Sequence, residues 1–149
     1  MGQFRLSPLR GDRILQAYPL VCAAGVDISI EEWRAFVKSM LSPKARTADC
    51  CDIVGICSSN GYLRGLFTYR VRPDLHHGRI LDVEYFVVES VYSPREIVVA
   101  LMAGVEDEAH KHGCNAIHAQ TPRATSWLRG MLKDRDYTND FRLWCKRPD

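Results

Sequence analysis

Apolar residues recur along this chain with two periods, and the switch from one to the other predicts its elements. Residues 29–41, SIEEWRAFVKSML, carry Trp33, Phe36, Val37, Met40 and Leu41 at helical spacing. Ser29 stands at the N-cap and Glu32 follows three residues on, a capping box, while Ser42-Pro43 ends the helix. A longer pattern runs from Pro94 to about Lys111, with Ile97, Val98, Leu101, Met102 and Val105 facing inward and Gly113 as the C-terminal stop. Residues 124–135, ATSWLRGMLKDR, predict a further helix. At the start, a short strand FRLS precedes a helical pattern through Ile14, Leu15 and Tyr18, which Pro19 is expected to kink or divide.

Strand patterns fill the middle of the chain. DIVGICSS is the first, Asn60-Gly61 marks a hairpin turn, and YLRGLFTYRVR is the second. Pro73-Asp74 through Gly78 predicts another turn before RILDVEYFVVES, the most apolar strand. These three read as an antiparallel meander. NAIHAQ and DFRLWCKR predict two more strands, and the polar stretch SPKARTADCCD reads as a connecting loop. The third meander strand, the long helix and NAIHAQ form a β-α-β unit, which should be right-handed with its strands parallel. The expected class is α+β (mixed α/β), a single domain over residues 1–149.

Composition narrows the function. The net charge is +2 with both signs mixed along the chain, so no clustered basic face suggests nucleic acid. No apolar run is long enough to span a membrane, and the N-terminal stretch lacks the apolar core of a signal peptide. None of the six cysteines forms a Cys-x-x-Cys pair, so free thiols in a reducing cytoplasm are expected. The histidines suggest no metal. His76-His77 falls in a turn, His110 and His112 point to different sides of a helix, and Cys114 with His118 lacks two further ligands.

The order of elements, and above all the β-α-β core at 80–119, resembles the GNAT superfamily of acyl-CoA-dependent N-acyltransferases. That resemblance implies a central mixed, mostly antiparallel sheet with flanking helices, and a cleft where the fourth and fifth strands splay. It implies acetyl-CoA or another acyl-CoA as cofactor and an amine on a small molecule or a protein as acceptor. Pairing of two copies through an exposed strand edge would also fit such a fold. Backbone groups of Phe86, Val87 and Val88 would pair with the pantetheine arm. Asp82 and Glu84, two apart on one strand face, are the candidate bases for the acceptor amine, with Glu84 favoured for its position nearer the cleft.

The chain departs from the family at two points. Members carry a loop like Q/R-x-x-G-x-G/A before the long helix, whose amides hold the pyrophosphate. Aligned on Tyr92 and Ala100-Leu101-Met102, those positions fall on Ser93, Pro94, Arg95, Glu96, Ile97 and Val98, with no glycine. S-P-R-E is itself a strong helix start, with Ser93 as N-cap, Pro94 at the first position and Glu96 completing a capping box. Two readings stay open: a self-capped structural helix, or an altered cofactor loop in which Arg95 pairs with phosphate from the rim. The second departure is in the last helix, where Leu132 stands at the position of the family's proton-donating tyrosine. There Asp136 replaces a glycine and Tyr137 takes the final aromatic position, expected in the core. Tyr85 or Tyr92 could take its place, and nothing in the sequence selects between them. These losses admit an alternative of another class, a non-catalytic module that keeps the fold without the cofactor.

Overall fold

A computed structural model describes residues 3–43, 50–89, 94–120, 126–139 and 146–147. Among these, five strands and four helices follow in the order β1 (Phe4–Pro8), α1 (Arg13–Ala23), α2 (Ile30–Leu41), β2 (Asp52–Ser58), β3 (Leu63–Asp74), β4 (Gly78–Val88), α3 (Pro94–Lys111), β5 (Ala116–Ala119) and α4 (Ser126–Asp134). The strands form one sheet in sequence order, antiparallel from β1 to β4, with β5 parallel to β4. The expected class, meander and parallel β-α-β unit are therefore present. The expected last strand and most of the polar loop lie outside the described residues, as do the N-cap Ser93 and Tyr92.

Local chemistry accounts for most boundaries. Ser29 and Glu32 make both hydrogen bonds of the capping box on α2. Gly61 and Gly78 take positive φ in the two hairpin turns, and Gly113 does so at the end of α3. Pro19 does not divide α1, which runs through it. Both Pro19 and Leu15, whose carbonyl loses its amide partner, lie on the exposed side, where that carbonyl is open to solvent.

The sheet separates two cores. On one face α1 and α2 cover Ile53, Leu66 and Val87 with Ala17, Val21, Trp33, Val37 and Met40. On the other, Ile97, Leu101 and Val105 of α3 cover Phe67, Tyr69, Leu81 and Val83. Helix α4 packs beside α3, setting Met131 against Val98 and Met102. All five inward residues expected on the long helix are buried. Among the described residues, no helix is long and apolar enough to cross a membrane.

Candidate functional site

Strand β4 carries an extra residue. Thr68 lies opposite Tyr85 while Tyr69 lies opposite Val83, so Glu84 is a β-bulge. The bulge costs the ladder a hydrogen bond, and the freed Tyr85 N–H donates instead to the hydroxyl of Thr68 at 3.2 Å. Thr68 is almost wholly buried, and nothing in the sequence pattern marks it. A threonine inside a strand-like run reads simply as a good strand former. The bulge also places consecutive residues Glu84 and Tyr85 on the α2 side, where Tyr85 meets the ring of Phe36 edge-on at 5.7 Å.

Just past this point the sheet opens. β5 pairs with β4 only from Ile80–Ala116 to Val83–Ala119, closed by the Gln120 N–H donating to the Val83 carbonyl at 2.9 Å. β4 continues to Val88 with no described strand on that side. Because the Glu89 N–H donates to Arg64 of β3, alternation turns the amides and carbonyls of Phe86 and Val88 toward the open side, and those of Val87 toward β3. On the α3 side the opening is walled by Val83, Phe86, Ala119, Leu128, Leu132 and Tyr137, which leave about 10 Å³, room for one water. Leu132 is thus a wall residue. Tyr137 packs in the same apolar cluster, where burial pushes its phenol up to about 12.

Both candidate bases lie on one sheet face, each in an ion pair with an arginine of β3. Arg70 Nε donates to Glu84 Oε1 at 3.1 Å and Arg72 Nε to Asp82 Oδ2 at 2.9 Å. The two differ in access. The Glu84 side chain keeps about 30% of its surface in contact with solvent, against 8% for Asp82. The remaining oxygen of Asp82 is buried without a partner among the described residues. Glu84 therefore stands at the mouth of the opening, one residue past the end of β5 pairing, and Asp82 lies behind it.

The residues aligned with the cofactor loop fall into two groups. Arg95 and Glu96 are exposed in the first turn of α3, where backbone N–H groups have no partner within the helix. Ile97 and Val98 are 1% and 0% exposed and belong to the core. The Val98 side chain therefore faces Met102 and Met131, away from any ligand at the helix start.

No protein-family model and no curated protein sequence matches this chain. Solved structures do. A glucosamine-6-phosphate N-acetyltransferase from Arabidopsis thaliana superposes with a TM-score of 0.75 at 15% identity, covering 98% of this chain and 99% of that one. A GNAT family acetyltransferase from Staphylococcus aureus gives 0.74 at 13% identity, over 98% and 99%. The aminoglycoside N-acetyltransferase AAC(6')-Iy, solved with CoA, gives 0.78 at 12% identity, over 97% and 94%. The chain has the GNAT fold. Within it, Asp136 has φ +67° at the position where the GNAT pattern has glycine, and the Tyr137 N–H donates back to the Leu132 carbonyl at 3.0 Å. The backbone conformation that favours glycine is retained by an aspartate, one of the few side chains that tolerate it.

Proposed function

We propose that this protein is an acyl-CoA-dependent N-acyltransferase acting on an amine by direct transfer, with Glu84 as the general base. The observation that carries the reading is the sheet opening. A strand edge at Phe86–Val88 that is unpaired among the described residues lies beside a bulge that presents a solvent-accessible carboxylate. A pantetheine arm is an extended chain with two amides, and an open strand edge is the complement such a chain needs. The amides of Arg95, Glu96 and Ile97 at the start of α3, with the Arg95 guanidinium, are the groups to receive the pyrophosphate. Bound acyl-CoA would supply the activated thioester carbonyl. The nearly filled wall at Leu132 and Tyr137 suits a short acyl group such as acetyl. Glu84 accepts the amine proton through its second oxygen, Arg70 holding the first. Tyr85, beside it on the same face, is the candidate to return a proton to the departing thiolate.

The first test is calorimetric titration with acetyl-CoA and with CoA, followed by turnover on a panel of amines. Micromolar binding is expected, with Glu84→Gln lowering kcat by about 100-fold or more while leaving cofactor affinity unchanged. Full turnover in that variant removes Glu84 from the reaction. A second reading rests on Glu96, whose carboxylate occupies the helix start that a pyrophosphate would approach. On that reading the fold is a binding module without cofactor. Absence of heat with millimolar CoA for the wild type, with binding gained in Glu96→Gly, would establish it; no gain in the variant would mean that the cleft itself is closed.

A further inference from the structure

At the other end of β4, away from the opening, the ligand-type atoms of Asp74, His77 and His118 all lie within 4.8 Å of one another. The backbone builds this convergence. Asp74 and Gly78 face each other at the mouth of the β3–β4 hairpin. Asp74 Oδ2 accepts the N–H groups of His76 and His77 at 3.1 and 2.9 Å, which fixes the carboxylate. The segment leading into β5 is docked on the same hairpin. Asn115 Nδ2 donates to the His77 carbonyl at 2.9 Å, and the Asn115 N–H to the Arg79 carbonyl at 2.7 Å. That approach needs Gly78, where φ is +80° and a Cβ would come within 3.0 Å of Asn115 Nδ2. Three residues along β5, the His118 ring stands edge-on to His77, with centroids 5.6 Å apart. Two imidazoles and a carboxylate, 44 residues apart in the chain at their extremes, are thereby brought together.

We propose that Asp74, His77 and His118 form a binding site for a divalent transition metal, with Zn²⁺ as the cation. The donor set is Asp74 Oδ1 and one nitrogen from each histidine, with a fourth tetrahedral position left to water. Two nitrogens and one oxygen favour Zn²⁺ and its neighbours over Mg²⁺ or Ca²⁺, which take oxygen shells. Metal bonds of about 2.0–2.2 Å require the three atoms to draw in by about an ångström. His77, exposed at the tip of the hairpin, has the freedom to supply that movement. The same ligand set serves non-haem iron in enclosed sites, but exposed His77 leaves this one open to solvent, which suits a redox-inert ion. Occupied, the site cross-links the β3–β4 hairpin to β5. It thereby pins the paired end of the two strands whose other ends diverge.

The test uses the full chain without a histidine tag. Calorimetric titration with Zn²⁺ should give one saturable site, and Co²⁺ should give visible absorption bands of four- or five-coordinate nitrogen and oxygen ligation. His77→Ala and His118→Ala should each weaken Zn²⁺ by about 100-fold or more, since each removes a direct ligand. Asp74→Asn keeps an oxygen for the turn but removes the charge, and should weaken binding by about 10-fold or more. His76→Ala should leave it unchanged. His77 lies at an exposed tip, so its variant keeps the fold even if His118→Ala does not, and a circular dichroism spectrum confirms this. Failure to saturate by about 1 mM Zn²⁺ overturns the site. So does undiminished binding in the His77→Ala/His118→Ala double variant, which would place the metal elsewhere.

Discussion

Thr68 shows how much one side chain can decide. Its hydroxyl accepts the amide that the bulge at Glu84 leaves without a ladder partner, and it does so 1% exposed. Thr68→Val keeps the shape and strand preference but leaves that partly buried N–H unpaired. It should cost about 1–3 kcal/mol in urea unfolding, with an unchanged m-value. Turnover should fall further than stability alone explains, because the bulge positions Glu84. Asp82 and Glu84 make the complementary point. They share one face, as their spacing in the sequence implies, yet only the structure separates them by access, through the near-complete burial of Asp82 beside Arg72. A charge pattern two residues apart carries no information about which partner lies under its neighbours.

At the scale of elements, the meander and the β-α-β unit are legible because each strand and helix carries its own period and its own stop. What escapes is where elements touch. Gly65 reads as an ordinary weak point in a strand. In the sheet it sits where a Cβ would come within 2.8 Å of the Val87 carbonyl, 3.0 Å of Leu101 and 3.2 Å of Ile56. It is also the last residue of β3 aligned with β2 before their register shifts. Gly65→Ala should therefore destabilise by about 1–3 kcal/mol, read as a lower thermal midpoint, because a backbone carbonyl of β4 has no rotamer to escape into. Val98 is the opposite case. Alignment with the cofactor loop puts it at a glycine or alanine position, but the helical period turns it into the core, and the structure agrees. Removing it would open a cavity rather than a site, so Glu96 is the position at which to restore a glycine.

The whole molecule is a sheet with a core on either side, and the α3 side holds a buried phenol, Tyr69, and a partly buried one, Tyr137. Burial pushes Tyr69 well above the usual range, with Glu108 adding to the effect, and raises Tyr137 to about 12. The sign follows from linkage. Both groups are neutral in the folded and unfolded states below about pH 10, so they cost nothing there. Above that pH the unfolded chain releases these protons and the folded one holds them, so stability falls as pH rises toward 12. Tyr137→Phe should flatten part of this loss between about pH 10 and 12, measured as chemical unfolding across that window. An unchanged alkaline slope would mean that Tyr137 is not buried in solution.

The sequence by itself determined the elements and their order, from hydrophobic period, the Ser29–Glu32 capping box and the glycines that end hairpins and helices. It determined the fold by resemblance, and placed Asp82, Glu84 and the Phe86–Val88 edge on the strand that borders the opening. These are readable because they depend on neighbours within a few residues. Tertiary structure alone decided that Glu84 is a bulge, that Thr68 supports it and that Asp82 lies covered behind it. It also brought His118 to the hairpin of Asp74 and His77. Each of those facts depends on which backbone lies alongside at distances of a few ångströms. Pairing between residues tens of positions apart sets that, and no local pattern encodes it.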